Sequence, residues 1–584
     1  MSCISIVSRI FFRLGVFLGL HGLLPAFPTS VFPQRLPSAF PSVRTCKFIP
    51  MAEFPPADFP RRRFVQGFAA STALLSFGAP HLAAAANNNA SAAPQPSTPP
   101  SRFEFDDVVR RARDLAAAPF DARPPSLPDA LAQLDFDTWR DIKNRPDKVF
   151  QLSPQSAFRM QLFHLGHLYK RPVIVNTIRD GIPTPIPYAA NLFDYGRAKF
   201  DKPLPVNLGF AGFRLYFPLN SPKSSDEIIS FIGASYFRFV GRSESWGLSA
   251  RGLAVDNGTD HEEFPFFREF WIEASRDQGD HATIYALLDS SAATGAFRFE
   301  LRPGQNTEVA VSTTLFMRKT GVKLGLAPLT SMFLAGENEH RFKDDFRFEL
   351  HDSDGLQIHT NNDEWLWRPL RNPPTAQVTS FPARDFRGFG LMQRDRTFDH
   401  YQDLELSYQS RPSYWVTPRE NWGDGHIDLL ELPTSDETND NIVASFMPSD
   451  SLDPGKPFSY GYTITSYLDA SRLSPNGRVV NTFQTIARAL GSSEPVVANS
   501  RRFLVDFAGG DLAYYLDDPS QVEIVASTNN GQIMRTFLMP DPMIKGFRAA
   551  LDVVLEPGQT ADLRLFLRSG PRVLTETWVY SWTP

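Results

Sequence analysis

From Pro146 onward the chain is written in short runs of aromatic and β-branched residues, separated by clusters of Gly, Pro, Asn and Asp. Examples are Pro172–Ile178, Phe210–Phe217, Ile228–Phe239, Phe297–Leu301, Glu308–Phe316 and Val378–Phe381. Runs of that length suit pleated surfaces and the clusters suit tight turns, so the pattern predicts many antiparallel strands. No regular alternation of strand and helix appears, which argues against a parallel α/β sheet. No repeat of fixed period is visible. Phe accounts for 50 of the 584 residues and aromatics for 13 %. That supplies large side chains for cores between sheets, and flat faces that can stack on sugar rings.

Two helices are expected ahead of the strands. Phe105–Ala116 distributes apolar and charged residues as a helix does, and Leu127–Leu134 makes a shorter second one. Pro124, Pro125 and Pro128 punctuate the stretch between. A boundary is expected late. Tyr460–Tyr467 reads as a strand, and residues 468–481 are polar and rich in turn formers, as in a linker. Six short strands follow within 482–584: Arg502–Phe507, Gln521–Ala526, Gln532–Leu538, Phe547–Leu555, Ala561–Leu567 and Thr575–Ser581. That spacing suits an immunoglobulin-like sandwich. No Cys-Trp-Cys pattern accompanies it, so the likeness is one of architecture.

The N-terminus reads as an address. Arg61-Arg62-Arg63-Phe64-Val65-Gln66 has the form of a twin-arginine motif. An apolar stretch, Gly67–Leu82, and the small residues Ala83–Ala86 follow in the order of an export signal with its cleavage sites. Such a signal belongs at the start of a chain, and Met51 stands ten residues ahead of it. Translation from Met51 is therefore expected; the alternative is a genuine extension, since Ile4–Leu24 is itself apolar. Residues 1–86 are read as leader and 87–102 as a low-complexity spacer. Cys3 and Cys46 both lie in the leader. The mature protein is expected in the periplasm, with no disulfide and no thiolate metal site.

The net charge of −5 gives no electrostatic case for nucleic acid. Phosphate-binding loops, dinucleotide fingerprints, H-E-x-x-H and G-x-S-x-G are absent from the sequence. His164 and His167, three apart, are read as structural, and no metal or other cofactor is expected.

Two carboxylate clusters remain. One is His351-Asp352-Ser353-Asp354, followed by Asp363-Glu364-Trp365-Leu366-Trp367-Arg368; the other runs from Glu431 to Asn441. Between them lies a stretch dense in aromatic and basic residues, with Tyr408, Arg411, Tyr414, Trp415, Arg419 and Trp422. Glycosidic hydrolysis needs one carboxylic acid to protonate the leaving oxygen and one carboxylate to activate water or attack carbon. Trp and Tyr faces would dock sugar C–H surfaces while Arg and Asn hold hydroxyls. Trp365, Tyr408, Arg411, Tyr414, Arg419 and Trp422 are the candidate substrate-binding residues. The same sequences have a plainer reading: Asp-Ser-Asp and Thr-x-Asp-Asn are common turns whose carboxylates bond local N–H groups. The aromatic residues could equally be core.

Over about residues 103–584 the sequence resembles the glucans biosynthesis proteins G and D of osmoregulated periplasmic glucan synthesis. The resemblance rests on Leu208–Arg214, Phe231–Arg238, Gly247–Ala254, Glu263–Pro265, Ala327–Phe333, His351–Asp354, Phe398 with His400–Asp403, Glu437–Val443 and Glu576–Trp578. The twin-arginine motif tilts it toward the D branch. The resemblance implies an all-β protein: a large galactose-mutarotase-like β-sandwich at 103–467, then a smaller immunoglobulin-like β-sandwich at 482–584. It implies an inverting endo-β-1,2-glucanase with Asp440 as general acid, Asp352 as base and Glu437 in a proton relay or tuning the acid. The partners implied are β-1,2-linked glucan and the membrane glucan glucosyltransferase. A non-catalytic glucan-binding scaffold working beside that transferase is the alternative.

Overall fold

The computed structural model describes residues 102–584 except 124–125, 275–279, 340–343, 489–490 and 494. The twin-arginine motif, Met51 and both cysteines lie outside the described residues. Among the described residues no helix is long and apolar enough to cross a membrane.

The protein is an all-β sandwich. Two large sheets, of eleven and fifteen strands, hold most of it. Five strands at the centre of the larger sheet run antiparallel, each beside the next: Phe266–Ala274, Ala282–Asp289, Ala293–Arg302, Glu308–Met317 and then Pro457–Tyr467. In the smaller sheet Gly212–Phe217, Asp226–Ile232, Tyr236–Phe239, Ser249–Arg251, Leu324–Ser331 and Ile442–Pro448 follow one another. Phenylalanine rings from the two sheets meet between them. Phe231 lies 5.4 Å from Phe270 and 5.1 Å from Phe299, and Phe237 lies 5.2 Å from Phe299. Each ring so buried contributes about 1.5–3 kcal/mol of transfer free energy.

Ile228–Phe239 reads as one strand in the sequence but folds as a hairpin. Gly233 and Ala234 take φ of +75° and +45°, and the chain reverses there before Tyr236–Phe239. Gly233 tolerates that backbone because it has no Cβ; Ala234 is the residue whose turn role composition hides. The expected first helix is present at Phe105–Ala117, and lays Val108 and Ala112 on the outer face of the larger sheet. The second shrinks to Asp129–Ala132, with a further turn of helix at Phe136–Arg140.

The C-terminal strands enclose a second core. Arg478–Thr485, Ser500–Ala508, Gly546–Val554 and Gln532–Asp541 form a four-stranded sheet. Glu523–Thr528, Ala561–Ser569 and Thr577–Trp582 form the opposing layer. That layer continues into the larger sheet, because Thr577–Trp582 pairs in parallel with Trp365–Pro369. The segment 468–481 is turn and bend as far as Asn476 and enters a strand at Arg478.

Candidate active site

The smaller sheet has two buried faces of opposite chemistry. Phe231 and Phe237 face the phenylalanine core, so their neighbours Ser230 and Arg238 face the other way. Arg214, Ser230 and Arg238 stand in register across three strands, and Arg251 pairs beside Tyr236. All five are at most 8 % exposed. Arg251 Nε donates to Thr330 Oγ1 at 3.0 Å and its Nη1 stands 3.2 Å from Glu262 Oε1. Buried cations require compensating charge: Glu227 supplies it to Arg214 and Glu262 to Arg251, and of the two segments that carry the sequence's carboxylate clusters one supplies it to Arg238 through Asp440.

Phe333 ties those segments together. Its strand, Phe333–Ala335, pairs with Leu350–His351, placing Phe333 opposite His351. Its other flank is held by Asn441, whose Oδ1 accepts from Phe333 N at 2.8 Å while Nδ2 donates to Phe333 O at 3.0 Å. Asn441 Nδ2 also donates to Leu432 O at 2.9 Å, which closes the loop 432–441. Asp352 follows His351 and Asp440 precedes Asn441, so one residue's backbone splints both carboxylate segments. Asp352 N adds a bond to Met332 O at 2.8 Å.

Within each cluster the carboxylates divide between backbone and guanidinium partners. Asp354 accepts Arg394 N at 2.9 Å and Asp395 N at 2.8 Å, and Asp436 accepts Thr438 N at 2.7 Å. Both bind backbone N–H groups, Asp436 within a local turn and Asp354 across to the distant backbone of Arg394 and Asp395. Asp352 and Asp440 are 0 % and 1 % exposed and face guanidinium groups. Arg411 Nη1 donates to Asp352 Oδ1. Arg238 Nη2 stands 3.7 Å from Asp440 Oδ2, an ion pair beyond hydrogen-bond length. Asp352 Oδ2 is buried and accepts no hydrogen bond among the described residues.

Glu437 belongs to the same assembly. Its Oε2 accepts from Tyr408 Oη at 3.1 Å and forms an ion pair with Arg347 Nη1 at 2.8 Å. Arg347 also binds Asp345 at 2.9 Å and Asp403 at 3.0 Å. The Arg411 guanidinium lies over the Tyr408 ring at 3.6 Å, close enough for a cation–π contact. Burial, and then Arg238, hold Arg411 well below its ordinary pKa, while Glu437 and Asp440 oppose them. Burial, then Glu437, push the Tyr408 phenol well above its ordinary value, so it stays a donor. Burial pushes Tyr236 up to about 12, with Asp440 adding to the rise against Arg251. For His351 burial works downward, but the bond to Glu349 Oε2 at 2.9 Å outweighs it and the imidazole rises to about 9.

Of the six expected substrate-binding residues the structure brings two, Tyr408 and Arg411, to the carboxylates. The other four pack elsewhere. Trp365 stacks on His359 at 3.9 Å and Trp415 at 5.7 Å, inside the C-terminal core. Tyr414 stacks on Phe239 at 4.3 Å and donates to its carbonyl. Trp422 packs among Phe386, Phe446, Tyr460 and Tyr462, with Nε1 donating to Gly461 O at 3.1 Å. Arg419 binds Val311 O at 2.8 Å and Ser312 Oγ at 2.7 Å on the larger sheet. For Tyr414 the reason is strand alternation: with Trp415 it sits on one strand, Ser413–Pro418, and both faces of that strand are covered. Arg238 and Arg347 are the residues that sequence reading missed. The available signal was a basic residue between aromatics in Phe237-Arg238-Phe239 and Phe346-Arg347-Phe348.

His164 is buried, bonded to Leu165 O at 2.6 Å and Tyr188 Oη at 3.0 Å, and burial lowers it to about 4. Among the described residues one group could hold a cation: Glu349, Asp395 and His400 bring ligand atoms within 4.8 Å of one another. There His400 Nδ1 already stands 2.6 Å from Asp395 Oδ2.

A family model described as "Periplasmic glucan biosynthesis protein, MdoG" matches residues 103–582. A probable glucans biosynthesis protein D of Shewanella oneidensis is 41 % identical over 489 residues, covering 82 % of this chain and 89 % of that protein. A glucans biosynthesis protein G of Ralstonia nicotianae is 41 % identical over 485 residues, covering 82 % and 96 %. Among solved structures, a family 36 α-galactosidase from Geobacillus stearothermophilus aligns with a TM-score of 0.25 at 8 % identity, over 45 % of this chain and 40 % of that one. That likeness is too slight to bear on fold or function.

Proposed function

This chain belongs to the family of periplasmic glucan biosynthesis proteins, and from that premise we propose that it sets glucan chain length as an inverting endo-β-1,2-glucanase. The observation that carries the reading is the Phe333 splint, which holds two buried carboxylates from distant segments over one polar sheet face. Asp440 is the general acid that protonates the glycosidic oxygen. Asp352 is the base: Arg411 compensates its charge on Oδ1, and Oδ2 is left to draw a proton from the attacking water, directly or through a chain of groups. Glu437 supplies negative charge that helps Asp440 keep its proton, and Arg238 works in the opposite sense. Tyr408 and Arg411 place the substrate. The linker expected at 468–481 is proposed to divide the catalytic sandwich from the C-terminal one, ending at Gly477 because a strand opens at Arg478, and the twin-arginine route is the proposed means of export to the periplasm.

The test is incubation of the mature protein with linear β-1,2-glucan, reading product lengths and the anomeric configuration released. Asp440→Asn keeps the side chain's size but cannot give up the acid proton. It should lower hydrolysis by at least about 10²-fold, the low end for general acid catalysis, with glucan binding retained. Asp352→Asn should do the same, and the double variant should be little worse than either, because acid and base serve one transition state. Undiminished hydrolysis by Asp440→Asn removes it as the acid. Binding of β-1,2-glucan with no cleavage by the parent protein supports instead the scaffold that works beside the glucosyltransferase.

A further inference from the structure

The segment from Asp345 to Leu350 alternates in what it turns inward. Arg347 reaches in to Asp345, Asp403 and Glu437, and Glu349 reaches in to His351. Between them Phe346 and Phe348 are 68 % and 73 % exposed. They are the two exposed phenylalanines among the described residues, in a protein that otherwise spends this side chain on its cores. Leu404, the residue after Asp403, is 86 % exposed on the turn that Arg347 grips.

The rings are not on a loose flap. Phe348 N and Glu349 N both donate to His400 O, at 3.2 and 3.1 Å. Arg347 fixes the same segment to Glu437 in the proposed acid's loop, and the segment runs on through the strand Leu350–His351 to Asp352. Both phenyl rings are therefore anchored to both carboxylate segments. Their surroundings indicate the kind of occupant. His400, whose carbonyl accepts from Phe348 N, presents a half-exposed imidazole paired with Asp395 on the segment that the rings are bonded to. Covering rings and imidazole together with an apolar protein surface would desolvate the His400–Asp395 pair and offer its remaining polar atoms nothing in return. A sugar chain offers C–H faces for the rings and hydroxyls for the polar groups.

We propose that Phe346 and Phe348 form a stacking platform for glucose units of a glucan chain, outside the units that the buried carboxylates would flank. The proposal rests on the reading of the site as a glucan site. It assigns the platform to chain recognition: longer chains reach it and the shortest oligosaccharides do not.

The experiment measures affinity for linear β-1,2-glucan by calorimetry on the full mature chain carrying Asp440→Asn, so that the glucan stays intact. In that background Phe346→Ala and Phe348→Ala should each weaken binding of long chains about 3- to 10-fold, the range for one aromatic contact. Phe346→Trp should keep or tighten binding, and thermal melts should show all three folded. Equal affinity of the Phe346→Ala/Phe348→Ala double variant and its parent overturns the platform while leaving the glucan site standing. No glucan binding by the parent overturns both readings together. A double variant that loses self-association by sedimentation, with glucan affinity unchanged, makes the face a contact between copies and likewise overturns the proposal.

Discussion

The strand Tyr236–Phe239 separates two interiors. On one side Phe237 joins a cluster of phenylalanine rings; on the other Arg238 faces Asp440 within a buried set of ions that includes Arg411 and Asp352. The two regions are equally dry but differ in what holds them. The ring cluster gains from every atom taken out of water, and its members are nearly interchangeable in kind. The ionic set gains little net, because desolvation offsets most of the attraction between its charges. A protein has no stability reason to prefer the second arrangement over more phenylalanine. It lies on the face of the sheet where the proposed site sits.

The largest expected effects break each interior separately. Phe231→Ala should cost about 3–5 kcal/mol in urea melts, the usual cost of emptying a buried ring site. Arg411→Met should cost a similar amount by leaving Asp352 without its cation. The two then part company. Adding Asp352→Asn to Arg411→Met should restore most of the loss, since a broken pair is worse than no pair. A second truncation beside Phe231, such as Phe270→Ala, should only deepen it. A double variant Arg411→Met/Asp352→Asn as unstable as Arg411→Met alone would mean that packing by the Arg411 stem, and not its charge, supports the site.

The next contrast is in pH. His351 rises to about 9 because Glu349 outweighs burial, so its contribution is complete below about 6.5 and is lost as pH climbs through about 9. Glu337 is raised to about 8, by burial and then by Glu349 and Asp354, so the folded state again holds a proton that the unfolded chain releases. Both groups bind more protons when folded, and stability should fall as pH rises, from about 4.5 to about 8 through Glu337 and from about 6.5 to about 9 through His351, on the order of 1–3 kcal/mol. His351→Gln should flatten that slope in thermal melts, whereas Phe231→Ala should lower the melting temperature without changing the slope. A parent protein with level stability across that range would refute the protonated His351.

How much of this was visible beforehand follows the same division. The ring cluster was legible because aromatic density and period-two runs report burial directly; the run Glu308–Phe316 became the strand Glu308–Met317, and Phe297–Leu301 marked the second half of the strand Ala293–Arg302. The hairpin at Gly233–Ala234 was not legible, since Ala gives no sign of a left-handed turn. The carboxylates were found by type, but only the structure shows that Asp436 serves a turn and Asp354 a distant stretch of backbone, while Asp352 and Asp440 face guanidinium groups. Trp365 and Trp422 were indistinguishable from sugar-binding residues because a buried indole and a docking indole have the same one-letter neighbourhood. Arg238 escaped because a lone cation in a strand ordinarily faces water; here the opposite face is buried as well.

A smaller effect sharpens the ionic side alone. If Arg238 draws the proton from Asp440 and Glu437 retains it, removing each should move the alkaline limb of the rate profile in opposite directions. Arg238→Met should raise that limb by about one pH unit and Glu437→Gln should lower it by a similar amount, each about 1.4 kcal/mol. Limbs that move together would show that both residues act through the shape of the loop.

The smallest effect concerns the link between the two sandwiches. Asp469, Ser471, Arg472 and Pro475 are exposed on the turns of the proposed boundary, while Ser474 and Gly477 are buried against the C-terminal part. Exposed turns are where proteases cut first, so trypsin should nick the chain at Arg472. The nick should not release a fragment. Thr577–Trp582 remains paired with Trp365–Pro369, and Arg394 Nη1 remains 2.6 Å from the buried carboxylate of Glu576. Trp365, Trp367 and Trp415 stay in the C-terminal core with Trp578. The two pieces should therefore co-elute on gel filtration and separate only in denaturant, with glucan affinity intact. First cleavage inside 210–400 would reject the boundary. Separation of the pieces in native buffer would mean that the parallel pairing contributes less than the single peptide chain it replaces.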